Sequence, residues 1–304
     1  MSPREDLQAL PAVAGEVLES LYEHRLLSSH QIHRMHTPGA SMRWTREILT
    51  GLRRHDLVDL LRAADGGGSV YFLTPKGTDA VELIPTGTQS RRKLITPAQA
   101  AGPLRAHTLA VNETGIAFLA SARERGDEFG TLAWRHEIAH PTGPRRGELL
   151  IADALFTYLR YGSDGELIFH YRLLELDRAT LPTDTLAAKL ARYARLHRYT
   201  AANQKAPAWQ ARYPVFPGVI CVLAGRPQPV LDRRAQTVLA LCREDPDLAR
   251  TPQVEISICL LCELTTHGPF AAIWQRPSDE RRLDWLGRPA RDTSHHGAGQ
   301  RGQG

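Results

Sequence analysis

Cysteine, long apolar runs and a dominant sign of charge are all scarce in this chain, and each scarcity removes a class of protein. Four cysteines (Cys221, Cys242, Cys259, Cys262) in 304 residues are too few for a disulfide framework, so a reducing cytoplasm is the expected location. No run approaches the ~20 apolar residues that a transmembrane helix needs, and no membrane partner is expected. The start, Met1 to Leu10, carries acids early and lacks an apolar segment with a cleavage site, so no secretion signal is read there. Lys plus Arg number 38 against 33 Asp plus Glu, a formal charge of +5. That balance permits a nucleic-acid partner without demanding one, and the distribution of charge matters more than the total.

What is present divides into an N-terminal unit over 8–86, a linker over 87–103, a larger unit over 104–285 and a tail over 286–304. The linker carries Arg91-Arg92-Lys93 between prolines, and the Gly- and His-rich tail has nothing with which to form a core, so disorder is expected of it. Before the linker the pattern is three helices and a hairpin. Pro11 to Leu27 holds a helical apolar stripe, Ser28 or Ser29 caps a short helix with Ile32 and Met35, and Ser41 caps a third. Leu57–Leu61 and Val70–Leu73 read as strands flanking the glycine-rich turn Asp65–Gly68. This order predicts a winged helix-turn-helix, which lays its recognition helix in the major groove of double-stranded DNA.

The third helix is the basic one. It places Trp44, Ile48, Leu49 and Leu52 on one face and projects Arg43, Arg46 and Thr50 toward bases or phosphates, with Arg53 and Arg54 at its end suited to phosphate. The basic character is local: Met1–Thr86 holds nine Lys/Arg against eleven Asp/Glu. On the second helix His30, His33 and His36 recur every three residues, but no fourth ligand accompanies them, and solvated or phosphate-facing histidines are expected instead. Cys259-Leu-Leu-Cys262 is a single pair inside an apolar run, so its cysteines read as small core residues.

After the linker a long helix, Leu104 to Arg125, precedes strands near Thr131–Ile138, Glu148–Tyr161 and Glu166–Leu176. A helix over Thr183–Thr200, a strand at Val215–Leu223, a helix at Ala235–Cys242 and a strand at Val254–Leu261 follow. The sum is α/β (α+β overall), with an αβββαβ order in the second unit. If the strands around Gly162–Gly165 form a hairpin, opposed positions sum to about 327, and Asp153 falls within one residue of Glu175. The face Leu167, Phe169, Tyr171, Leu173 is apolar until Glu175 and Asp177 close it, and buried carboxylates require a cation. Lys189, flanked by Leu186 and Tyr193 at helical spacing, leans to the same side. Asp153 and Glu175 binding Mg²⁺, with Lys189 near the attacked phosphate, is a constellation suited to phosphodiester hydrolysis. The plainer alternative pairs Glu175 with Arg178 or Arg172 and has Asp177 cap the next turn.

Asp153 and Glu175-Leu176-Asp177, after a helix with Glu113 and a strand with Glu137, resemble the core of PD-(D/E)XK nucleases. That pattern's proline is Ala152 here and its lysine position is Asp177, so Lys189 would supply the lysine. Over about residues 8–285 the chain more closely resembles the actinobacterial replication-relaxation family. The resemblance rests on His107-Thr-Leu-Ala-Val-Asn112, on Glu175-Leu-Asp-Arg-Ala-Thr180 followed by Lys189 and Tyr193, and on Gly268-Pro-Phe-Ala-Ala-Ile-Trp-Gln-Arg-Pro277. Ala179 stands where that pattern has glycine. The resemblance implies a part in replication or relaxation of plasmids and related mobile elements, with replication or mobilisation proteins as partners and a homodimer open. Two other readings stand beside it: a Mg²⁺-dependent endonuclease or nickase, and a transcription regulator whose second unit dimerises or recruits a partner.

Overall fold

The computed structural model describes residues 9–62, 68–82, 99–100, 102, 104–162, 164–202 and 204–289. Asp65–Gly67, Ser163, Arg91–Lys93 with most of the linker, and the tail from 290 lie outside the described residues. Near the end of the described residues Leu286 packs on the core, and Pro289 bridges to Leu283.

The N-terminal unit consists of α1 (Val13–His24), β1 (Leu27–Ser28), α2 (Ser29–His36), α3 (Met42–Arg54), β2 (Val58–Arg62), β3 (Ser69–Leu73) and α4 (Pro75–Glu82). Ser28 forms a capping box with Gln31, and the Ser41 hydroxyl accepts from Trp44 N–H, so the two helix starts fall where the serines place them. The sheet order is β1-β3-β2, antiparallel throughout. Two residues of β1 and the helix α4 escape the sequence pattern, because both are shorter than the windows over which periodicity shows.

The larger unit follows: α5 (Leu104–Arg125), β4 (Trp134–Pro141), β5 (Leu149–Tyr161), β6 (Leu167–Asp177), α6 (Thr183–Arg198), β7 (Gly218–Leu223), α7 (Gln228–Glu244), α8 (Pro246–Ala249), β8 (Ile256–Leu260), α9 (Leu261–His267), β9 (Trp274–Arg276) and β10 (Asp279–Leu283). They build a seven-stranded sheet, β10-β9-β8-β7-β6-β5-β4. The β6–β7 and β7–β8 pairs are parallel and the others antiparallel. Every residue of β7 and β8 is buried, as strands covered on both faces should be. One face carries α6 and α7 through Leu190, Tyr193, Leu196, Leu231 and Val238. The other carries α5 and α9 through Phe118 and Leu264.

The β5–β6 register sums to 328, one more than expected, as Ala154↔Leu174 and Tyr161↔Leu167 show. Continued by one residue, it sets Asp153 opposite Glu175. The simple alternation expected of these strands also fails in two places. Leu150, Ala152 and Leu155 face α6 and α7, whereas Ala154 and Phe156 face α5, so the pleat slips around Asp153. Across from that slip Glu137 has φ of +53°, the left-handed region. Toward the hairpin turn, Leu167 and Phe169 are exposed rather than buried.

One apolar cluster runs without interruption from α1–α3 into α5, β4, β5 and β6. At the junction sits Asn112, fully buried. Its amide donates to the carbonyl of Leu26 at 2.9 Å and to that of His24 at 3.4 Å, while its oxygen accepts from Trp134 Nε1 and His136 Nε2. His24 stacks on Trp134 and bonds the Thr131 carbonyl. Around this centre Arg34 pairs with Glu113, Arg25 pairs with Glu137, and Arg123 donates to the carbonyls of Arg34 and Met35. Glu113 and Glu137, expected to flank the acidic constellation, therefore serve the junction. Asn112→Ala removes the amide from the Leu26 carbonyl and the acceptor from the Trp134 indole N–H, and should lower stability by about 3 kcal/mol in urea denaturation.

Candidate functional site

Three of the residues singled out from sequence converge. Glu175, near the C-terminal end of β6, is 1% exposed. Its Oε2 pairs with Lys189 Nζ and its Oε1 accepts from Tyr193 OH at 2.5 Å. Asp153 Oδ1 lies 3.7 Å from Lys189 Nζ and 3.5 Å from His107 Nε2, and its Oδ2 accepts from Leu176 N–H at 2.7 Å. Lys189 and Tyr193 are one helical turn apart on α6, which is why both reach the same carboxylate. The group opens into a cleft of about 680 Å³ whose wall includes Arg178, Thr180, Thr185 and Arg192.

Asp177 stands apart from this group. Its carboxylate is held by Arg234 of α7 at 2.5 and 3.1 Å, and the same guanidinium bonds Thr183. Neither Arg178 nor Arg172 takes Glu175, and Asp177 does not cap the following turn, so the plainer alternative is replaced by a lysine and an arginine from two different helices. His107 was visible only as part of a motif, and Tyr193 as a neighbour of Lys189 at helical spacing rather than as a partner of Glu175. His107 extends the helical stripe of Val111, Thr114 and Phe118 by one turn, and that spacing is the signal that would have aimed it at the sheet.

Electrostatics separate the two carboxylates. Burial pushes Glu175 up to about 7, and the neighbouring Asp153 charge adds to this against the opposing Lys189 and Tyr193. Burial also disfavours ionised Asp153, but the His107 hydrogen bond and the Lys189 charge outweigh it and hold that carboxyl below its ordinary value. Lys189 is desolvated too, yet the two carboxylates hold its ammonium above the usual range. At neutral pH the result is an ionised Asp153, a protonated Lys189 and a Glu175 near its midpoint, which can take or release a proton.

A divalent cation does not fit this arrangement. All four carboxylate oxygens of Asp153 and Glu175 already face a protein donor or cation, and Lys189 reaches both carboxylates. Among the described residues no group of three or more His, Cys, Asp or Glu converges as ligands. The histidines of α2 disperse: His33 bonds Thr37 and Thr45, His36 bonds Ser20 and faces Glu16, and His30 is exposed. Two of the three are thus internally bonded rather than solvated. Cys221, Cys242 and Cys259 are buried as expected, whereas Cys262 is exposed at the start of α9.

The sequence profile of the replication-relaxation family matches residues 18–209, well over half of the chain. The chain belongs to that family. The matched span contains Asn112, His107, Asp153, Glu175, Lys189 and Tyr193, so junction and cleft both lie inside the replication-relaxation region. No curated protein and no solved structure gives a significant match. Among the described residues no helix is long and apolar enough to cross a membrane.

The DNA-facing candidates occupy a separate place. On α3 the buried face is Thr45, Ile48, Leu49 and Leu52, and Trp44 stands 38% exposed rather than in the core. Arg43, Arg46, Thr50, Arg53 and Arg54 are all exposed. Arg43 pairs with Glu47 one turn on, and the Thr50 hydroxyl donates back to the Arg46 carbonyl. Arg46, Arg53 and Arg54 have no ionic partner among the described residues.

Two outcomes follow from the cleft. An unfolded Glu175 releases its proton near 4.5 while the folded one holds it to about 7, so folding loses stability as pH rises across that window. Glu175→Gln should therefore gain stability relative to wild type between those values in paired urea titrations, and parallel curves would contradict the shift. Ala179 has φ of +53°, the conformation glycine adopts freely, so Ala179→Gly should be neutral or raise the unfolding temperature, by up to about 1 kcal/mol in stability.

Proposed function

We propose that this replication-relaxation protein binds double-stranded DNA through α3, as an accessory factor in the replication or mobilisation of a plasmid or related mobile element. The order of helices, short strand and hairpin supports a winged helix-turn-helix. The observation that carries the reading is the two-sidedness of α3: its inner face is fixed in the core while its outer face presents Arg46, Arg53 and Arg54 without counterions among the described residues. Unpaired guanidinium groups on a rigid helix are suited to phosphate and to guanine edges. Exposed Arg62 on β2 adds a further positive charge to the same unit.

The larger unit supports a second reading, a nuclease-type domain. Its helix, three antiparallel strands, crossover helix and parallel strand follow the PD-(D/E)XK order, and Asp153, Glu175 and Lys189 meet in one cleft. Because the carboxylates are satisfied from within, the reading favoured here gives the domain a scaffolding rather than a hydrolytic part.

Fluorescence anisotropy on a DNA duplex tests the first reading. Arg53→Ala and Arg54→Ala should each weaken binding and lower the salt slope by about 1, and Arg46→Ala should weaken it by about 1–3 kcal/mol, while Arg233→Ala on α7 changes nothing. Binding that ignores all three α3 variants would refute it. Supercoiled plasmid incubated with Mg²⁺ tests the second: wild type, Asp153→Ala and Glu175→Ala should be alike, and nicking lost in both variants would instead establish the endonuclease.

A further inference from the structure

Away from the cleft, on the face of the sheet that carries Trp285, buried nitrogens gather without partners among the described residues. Arg160 Nε, His170 Nε2 and Trp285 Nε1 are buried and have no hydrogen-bond partner among the described residues. They are neighbours. His170 packs edge-on to Trp285 with ring centroids 5.3 Å apart, and Tyr158, which pairs with His170 across the strands, packs 5.0 Å from the same indole. Arg160, two residues beyond Tyr158 on β5, acts on the charge of His170. An indole N–H and a guanidinium N–H can only donate, so what would satisfy this place is an acceptor.

The charge around it has the same sense. The Arg172 guanidinium lies over Trp285 at 5.1 Å and, among the described residues, donates to the carbonyl of Tyr171 beside it. Arg276 and Arg288 complete the group. Of the acids that face these four arginines, Asp284 is committed to Arg288 at 2.8 Å, and Glu255 approaches Arg276 at only 3.4 Å from a half-exposed position. Asp127, whose charge also reaches His170, is taken by Arg125 and the Tyr158 hydroxyl, so among the described residues the four guanidinium groups outnumber the carboxylates that face them. Burial lowers Arg172 to about 10, with Arg276 adding to the effect, and burial together with Arg172, Arg160 and Arg288 lowers His170 to about 4. Cations left short of counterions in a desolvated place are costly.

The backbone makes room for them. A Cβ on Gly218 would meet the Arg172 side chain at 3.1 Å, and one on Gly287 would meet the Arg276 guanidinium at 2.5 Å. Both residues let the chain pass close against an arginine head group, where any larger side chain would displace it. Arginine is also the cation whose planar fork matches phosphate oxygens.

We propose that Arg160, His170, Arg172 and Arg276, over the floor of Trp285, form a phosphate-binding site on the larger unit, distinct from the Asp153–Glu175–Lys189 cleft and from α3. The ligand is a phosphate group, either free or carried by a nucleic-acid strand. The site does not depend on α3 being a DNA reader, and its variants leave α3 untouched.

Thermal unfolding of the full chain in inorganic phosphate, against chloride at equal ionic strength, tests it. At about ten times Kd, phosphate should raise the wild-type midpoint by about 3 °C. Arg160→Gln, at a half-buried position that tolerates a polar replacement, should lose that gain, as should Arg172→Gln, while Lys189→Met keeps it. A 5′-phosphorylated single strand of about eight nucleotides, a length within single-strand site sizes, then identifies the source. A wild-type gain that the strand reproduces and Arg160→Gln abolishes places the phosphate on nucleic acid, and a gain from inorganic phosphate alone makes it free. Phosphate that stabilises no more than chloride, or stabilises Arg160→Gln as much as wild type, would overturn the proposal.

Discussion

A buried amide stands at the centre of the junction between the two halves of this chain. Asn112, on the helix that leads into the larger sheet, donates to two carbonyls at the end of α1 and accepts from an indole and an imidazole on β4. A buried amide with every valence occupied fixes direction as well as distance, since moving either half would strand several polar groups at once. The apolar core passes through the same place, and the ion pairs of Arg25 and Arg34 lie at its rim. The placement of α3 relative to the sheet follows from that junction, and so does the direction in which the arginines of α3 point.

The cleft is governed by a second constraint, the cost of burying charge. Glu175 lies under α6 with almost no exposure, and a lone carboxylate there would be expensive. Lys189 and Tyr193 relieve it, and Lys189 also faces Asp153. The slip of the β5 pleat, opposite left-handed Glu137, brings Asp153 toward the same side as Glu175 although Ala152 and Leu155 also face that layer. The arrangement leaves Asp153 ionised and holds a proton on Glu175 up to about 7, so unlike environments separate the behaviour of like groups.

The chemistry of the chain is thus divided among places with different physics. The surface of α3 is wet and positively charged, suited to contacts that salt weakens. The cleft is acidic, partly dry and internally neutral. The arginines over Trp285 are positive and short of acceptors. None of these places borrows residues from another, so each can be altered without rewriting the rest, except at Asn112, where a change would disturb all of them.

Much of this architecture was legible in the chain. Helical stripes located α1, α5 and α6, serines located the starts of α2 and α3, apolar runs located β7 and β8, and the turn at Gly162–Gly165 brought Asp153 near Glu175 to within one residue. Lys189 was found from its spacing to Leu186 and Tyr193. Periodicity is a local quantity, however, and it carries no information on which surfaces meet. It could not tell that Glu113 and Glu137 bind arginines of the N-terminal unit, that Asp177 belongs to Arg234, or that Trp44 stands outside the core. The sequence by itself determined the elements, their order and the residue types available for the cleft. Only the tertiary structure decided which charges are neighbours, because long-range pairing depends on how layers stack and where a pleat slips, and neither is written in the spacing of residues along one strand.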